Sequence, residues 1–142
     1  MIDKKASMQR CINYRKKILD ISQTVTALHA AGAFSATEIV DCIYYGLMSK
    51  DENNKDFDTF VMSKGHGCMI QYVILTAKGI LSEKDLDYYC KPEGRLGCHP
   101  DYGVPGIEAS TGSLGHGLAI AAGMAYGDKI KKIKRNVYVV LS

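Results

Sequence analysis

The sequence predicts an α/β fold: a partial doubly wound parallel sheet flanked by helices, in one domain over residues 1–142. Three observations carry that prediction. Val137-Tyr138-Val139-Val140-Leu141 is a near-continuous β-prone run, which suits a parallel strand buried on both faces. Phe60-Val61-Met62 is a second short apolar run, and it ends in the Gly-rich turn Ser63-Lys64-Gly65-His66-Gly67. Around both runs the apolar residues recur at helical spacing, and strands separated by helices point to this class.

Each element follows from local chemistry. Cys11, Tyr14, Ile18, Ile21, Val25 and Leu28 alternate spacings of three and four, so residues 8–29 read as one amphipathic helix. Ala30-Ala31-Gly32-Ala33 interrupts the pattern. A second helix is expected after Ser35, which has capping-box spacing to Glu38, with Ile39, Val40, Ile43, Tyr44, Leu47 and Met48 as its buried face. Residues 49–58 are polar and read as a loop. The stretch 68–78 is apolar on nearly every side, as a covered helix is, with Gly79 as its C-cap. Ser82 caps a short helix, and Leu81 and Leu86 are placed as a hydrophobic staple. Residues 91–112 hold all the prolines (Pro92, Pro100, Pro105) and several glycines, a long loop of the kind that is functional or disordered. From Ser113 to Lys132 a helix rich in small residues is expected, able to pack closely at a cost of roughly 1 kcal/mol for each interior glycine.

Bulk properties exclude several classes. With 142 residues, 46% apolar and 23% charged, the chain has an ordinary globular composition and enough length for a core. A net charge of +3 is too small to argue for nucleic acid. The basic run Lys129, Lys131, Lys132, Lys134, Arg135 reads as a solvated helix end favoured by the helix dipole. Five cysteines without a CxxC pair suggest neither a disulfide framework nor a zinc site. No signal-peptide pattern opens the sequence and no apolar run approaches the ~20 residues of a membrane span. Reduced thiols in the cytoplasm are the expectation.

The chemistry concentrates in the histidines. His29, His66, His99 and His116 each sit in a Gly- or Ala-rich junction or at a predicted helix start. Imidazole donates or accepts near neutral pH, so several converging on one cleft suit proton transfer around a carbonyl. Any one alone is better read as structural; four at element ends favour the joint functional reading. No two share a helical turn and no carboxylate accompanies them at ligand spacing, so metal ligation is the weaker option. The segment from Gly106 to Gly117 leads from the Pro/Gly loop into a helix. It offers either backbone N–H groups and the dipole end to an anion, or a tight turn for close packing.

Three segments resemble the transketolase family. Phe60-Val-Met-Ser-Lys-Gly-His-Gly67 resembles its first strand and SKGH turn. Gly97-Cys-His-Pro-Asp101 resembles its GHP segment. Gly106-Ile-Glu-Ala-Ser-Thr-Gly-Ser-Leu-Gly-His-Gly117 resembles its GVE-TTGSLGQG segment, with His116 in the common Gln position. Leu28–Ile39 is similar to the family's GHPGGSLS-ADI segment in degenerate form, keeping His29, Gly32, Ser35 and Ile39.

The resemblance implies an incomplete thiamine diphosphate-binding fold and a transferase that moves a two-carbon ketol unit from a ketose to an aldose. It implies that His29 and His99 contact the donor sugar's hydroxyl and carbonyl oxygens. His66 would lie between the cofactor diphosphate and the reacting centre, and backbone at Gly112, Ser113, Leu114 and Gly115 would line the cofactor. It implies a dimer, a pyrimidine-binding C-terminal subunit or domain as partner, sugar phosphate substrates, and Mg2+ bridging to the diphosphate. In the family a strand like Val137–Leu141 runs into a GDG motif whose Asp, with a later Asn, binds that metal. Here Ser142 stands in the place of the first Gly, so the metal ligands are absent from this chain. The expectation is a truncated product or a fragment of a longer subunit, inactive alone; the alternative is a non-catalytic remnant acting as an interaction module. A deoxyxylulose phosphate synthase carries a different loop in place of the TGSLGHG run and ranks below both.

Overall fold

A computed structural model describes residues 2–53 and 55–142; Asn54, in the loop expected over 49–58, and Met1 lie outside the described residues. Helix α1 spans Lys4–Ser22, opened by Asp3, whose carboxylate accepts from the N–H groups of Lys5 and Ala6 at 2.9 and 3.2 Å. Its stripe of Cys11, Tyr14 and Ile18 is buried. The helix stops at Ser22, well short of residue 29. The hydroxyls of Ser22 and Thr24 bond to Leu19 O and Ile21 O at 2.6 and 3.0 Å, the local competition by which Ser and Thr end helices. Val25 and Leu28 still reach the core, from a turn instead of a helix.

Helix α2 spans Ala30–Cys42 and continues as a π-helical turn over Ile43–Leu47. It begins well before the expected place, with His29 at its N-cap, and Ser35 lies inside it, donating to Gly32 O at 3.1 Å. The run Ala30–Ala33 is good helix material, and its small residues Gly32, Ala33 and Ala36 are part of the buried face. Rotating the helix onto these residues turns Ile39 and Leu47 outward, 55% and 53% exposed, while Val40, Ile43 and Tyr44 are buried. Arg10 makes paired bonds of 2.7 and 2.9 Å to the fully buried Asp41, tying α1 to α2.

Strand β1 (Thr59–Met62) pairs in parallel with β2 (Val137–Val140), Thr59 opposite Val137 and Met62 opposite Val140. The pleat sends Phe60, Met62, Tyr138 and Val140 into the larger core and Val61, Val137 and Val139 into a smaller cluster on the other face. β1 is buried throughout; of β2, expected to be buried on both faces, only Val140 is. Helices cover both faces, as the fold class requires.

Helix α3 (Cys68–Ala77) follows β1 through the 3₁₀ turn Gly65–Gly67, and Gly79, with φ of 72°, closes its C-terminal end. Burying each of Ile70, Tyr72, Ile74 and Leu75 contributes about 1.5–3 kcal/mol. Helix α4 (Glu83–Asp87) has Ser82 and Asp85 as a reciprocal capping box, with Leu81 and Leu86 both buried. No helix or strand occurs in 91–112. Helix α5 runs over His116–Ile130, starting a few residues later than expected. Gly115, at φ of 90°, takes the N-cap position in a left-handed conformation that a side chain there would strain.

Candidate active site

The turn at the carboxyl end of β1 is the floor of the site. Lys64 N–H donates to Val140 O at 2.9 Å, so the chain leaves the sheet just beyond its last paired residue. Such sheets bind ligands beyond the carboxyl ends of their strands. Gly65 allows close passage of the 111–112 backbone: a Cβ there would lie 2.9 Å from Gly112 Cα. Gly32 does the same for α2, since a Cβ there would lie 2.6 Å from His66 Cδ2.

Three imidazoles meet above this floor. The ring centroid of His29 lies 5.9 Å from that of His66 and 5.9 Å from that of His99, at interplanar angles of 68° and 51°. His29 stands at the start of α2, makes no capping bond and is exposed, so its ring nitrogens are free of that duty. His66 is half-buried in the 3₁₀ turn. His99 comes from the Pro/Gly loop, which has no regular structure to hold it. Helix α3 supplies the hold: the buried Tyr72 hydroxyl donates to Gly97 O at 3.2 Å and His99 O at 2.9 Å, and Cys68 Sγ donates to Cys98 O at 3.3 Å. The return of the same loop is clamped by Thr111, whose hydroxyl donates to Met62 O at 2.6 Å and whose N–H donates to Pro100 O at 3.1 Å. That clamp sets Gly112 against the His99 ring, 3.3 Å from a Cβ built on the glycine.

Of the residues singled out from sequence, His29, His66, His99 and Gly112 come together. Ser113, Leu114 and Gly115 continue outward from Gly112 to the start of α5 and are exposed. His116 begins α5, is exposed, and has no ring contact with the other three. Sequence reasoning missed Lys64 and Ser35 as a pair. The Lys64 ammonium donates to Ser35 Oγ at 2.8 Å and, among the described residues, has no carboxylate partner. It also missed Tyr72 and Cys68; bonds across 25 to 30 residues leave no local signal.

The electrostatics favour a neutral His66. Partial burial pushes its pKa down, and the charges of Lys64, His29 and His99 push in the same direction. The cleft therefore holds one fixed cation beside imidazoles able to accept or donate, a surface suited to an anionic group and to carbonyl or hydroxyl oxygens. Helix α5 opens without a side-chain cap, and its His116 and Leu118 N–H groups donate to Ser113 O and Gly115 O, each at 3.3 Å. These features fit an anionic cofactor. They do not fit a metal: no group of three or more His, Cys, Asp or Glu side chains able to hold an ion occurs among the described residues.

Comparison with known proteins gives the site a context. Residues 7–138 match the family model described as "Transketolase, thiamine diphosphate binding domain". The chain is 37% identical over 131 residues to an apulose-4-phosphate transketolase subunit from Phocaeicola vulgatus, a match covering 89% of this chain and 46% of that protein. It is 32% identical over 143 residues to the corresponding apulose-4-phosphate transketolase subunit from Actinobacillus succinogenes, covering 98% and 50%. The transketolase from Leishmania mexicana superposes with a TM-score of 0.77 at 28% identity, over 90% of this chain and 21% of that one. The chain thus spans about half the length of the two bacterial relatives.

Proposed function

The chain belongs to the transketolase family through its thiamine diphosphate binding domain, and on that premise we propose that it is the diphosphate-binding part of a transferase that moves a two-carbon ketol unit from a ketose to an aldose. The observation that carries this reading is the meeting of His29, His66 and His99 at 5.9 Å spacings beside Gly112, at the carboxyl end of a parallel strand pair. Thiamine diphosphate, when bound, supplies the electron sink for cleavage beside a carbonyl. The chain's own residues orient and neutralise. His29 and His99 hydrogen-bond the donor's hydroxyl and carbonyl oxygens and hold or release a proton as charge moves. His66, kept neutral, accepts or donates between the diphosphate and the reacting atoms. The backbone of Gly112, Ser113, Leu114 and Gly115 lines the cofactor.

The remaining parts lie elsewhere. Mg2+, when bound, would offset the charge of the diphosphate, and a pyrimidine-binding subunit or domain completes the pocket in a dimer. The subunit designation of the two bacterial relatives supports a separate partner chain. Sugar phosphates are the substrates, and a reducing cytoplasm suits five free cysteines.

Titration calorimetry with magnesium and thiamine diphosphate tests this, together with a ketose-to-aldose transfer assay. The 142-residue chain alone binds the cofactor weakly and transfers nothing; adding a pyrimidine-binding partner and the metal-ligand segment restores both. Partner binding without cofactor binding or turnover would instead identify a non-catalytic interaction module.

A further inference from the structure

The half-buried Cys98 has no part in the chemistry above, yet it is seated against a cleft histidine. Its sulfur lies 3.3 Å from Nδ1 of the neighbouring His99 ring. The backbone sets this placement. The Tyr72 hydroxyl bonds the carbonyls of Gly97 and His99 at 3.2 and 2.9 Å, and Cys68 Sγ donates to the carbonyl of Cys98 itself at 3.3 Å. Three successive carbonyls are thus held from α3, which fixes where the Cys98 side chain leaves the loop. Pro100 disfavours helical backbone at His99. The other edge of the ring is bounded as well: a Cβ built on Gly112 would lie 3.3 Å from His99 Cδ2 and 3.4 Å from Cγ. Nδ1 therefore meets the thiol and Cδ2 meets the glycine, while Nε2 has no hydrogen-bond partner among the described residues.

We propose that Cys98 is a positioning residue: its S–H donates to His99 Nδ1 and so holds the imidazole as the Nε2–H tautomer, with the ring proton on the nitrogen left for a ligand. A neutral imidazole carries one N–H and one bare nitrogen, and the hydrogen bond made by one nitrogen decides the state of the other. A bare ring nitrogen is a good acceptor, whereas a thiol sulfur is a weak one. The pair is therefore best satisfied with the proton on sulfur and the lone pair on Nδ1. The opposite tautomer would set Nδ1–H against sulfur and leave the Cys98 proton without an acceptor among the described residues. An Nε2–H fixed in advance suits an oxygen that gains negative charge, because the donor need not reorient when the charge arrives. The thiol transfers no proton and forms no covalent bond; it acts through the ring. The tautomer stands on the geometry alone. Its consequence for turnover rests on the function proposed above, in which His99 bonds the donor's hydroxyl and carbonyl oxygens.

The test is ring-nitrogen NMR of the isotope-labelled, reduced 142-residue chain. A bare ring nitrogen and a protonated one resonate far apart, so the tautomer is read directly. At mildly alkaline pH, His99 should show Nδ1 bare and Nε2 protonated. In Cys98→Ala the two shifts should move toward each other as the tautomers mix. Cys98→Ser, whose hydroxyl can donate in place of the thiol, should restore the separation. Nε2 bare in the parent, both nitrogens protonated as in a thiolate–imidazolium pair, or an unchanged tautomer in Cys98→Ala overturns the proposal. The second readout is kinetic, on the chain joined to a pyrimidine-binding partner. There Cys98→Ala should lower kcat roughly two- to tenfold, the worth of one hydrogen bond, with KM and cofactor affinity held, and Cys98→Ser should recover it. Equal losses in the two variants would overturn the positioning role, since packing would then account for both. The NMR is read without cofactor or partner, so a parent that shows the tautomer but no turnover counts against the function proposed above and not against the setting of the ring.

Discussion

Helices α3 and α5 lie on opposite sides of the same two strands, and they are covered very differently. Eight of the ten residues of α3 are buried, whereas α5 buries only Gly117, Ala121 and Asp128 of its fifteen. Leu118, Tyr126 and Ile130 on α5 are 54%, 66% and 66% exposed. The site inherits the difference. Its His99 segment hangs from α3 through Tyr72 and Cys68, while Ser113, Leu114 and Gly115 lead into the start of α5. One half of the cleft is preorganised by packing within this chain, and the other half faces outward.

The sharpest way to break this comparison is to truncate a large aromatic on each side. Tyr72→Ala should cost about 3–5 kcal/mol in urea unfolding, as a core cavity does, and free the 97–99 segment. Tyr126→Ala on α5 should stay within about 0.5 kcal/mol of the parent, as surface changes do. Equal losses would mean that α5 is as integral to the fold as α3. Next in size, on the proposed function, is catalysis once the chain is joined to a pyrimidine-binding partner. His99→Ala should lower kcat by roughly 10²–10⁴-fold, the contribution of a placed acid or base, with a much smaller change in cofactor affinity. A purely structural His99 would lower both together.

Two glycines sharpen the comparison further. Gly32→Ala drives a methyl into His66 and should cost about 1–3 kcal/mol while displacing the His66 ring signals. Gly123→Ala on α5 meets nothing within 4 Å and should stabilise by about 0.5–1 kcal/mol from helix propensity alone. Thermal unfolding of the two variants side by side gives both signs.

The smallest effect is in the pH dependence. The folded state holds the His66 pKa below its unfolded value of about 6.5, so at mildly acidic pH the unfolded chain binds more protons. The contribution of His66 therefore makes stability fall as pH drops through about 6.5, and the fall ends below the folded pKa. Replacing Lys64 by Met removes one of the charges that depress the pKa and should flatten that slope. A slope unchanged in Lys64→Met would show that the Lys64 charge does not act on His66.

Local chemistry made much of the fold readable. The capping residue Ser82, the paired Leu81 and Leu86, the Gly79 helix end and both strands are short-range features, and each lies where the residues placed it. The errors fall where two local signals competed. Val25 and Leu28 continued the α1 stripe, but the hydroxyls of Ser22 and Thr24 took the last carbonyls first. Ser35 and Glu38 had capping-box spacing, but Gly32, Ala33 and Ala36 offered α2 a closer fit against the turn at His66, and packing prevailed over the cap.

At the site, the sequence determined that His29, His66 and His116 would stand at the ends of elements, because glycines, alanines and helix starts mark those ends within a few residues. It determined the strand–turn–helix order that puts His66 beyond a strand, and the length of the loop that carries His99. Only the tertiary structure decided that His29, His66 and His99 face one another, that Lys64 rests on Ser35, and that Tyr72 and Cys68 hold the 97–99 segment. The reason is range. A cap or stripe is settled by neighbours within a turn or two of helix, whereas the position of the 97–99 segment depends on a tyrosine 25 to 27 residues away, whose place is set by the packing of helices against the two strands.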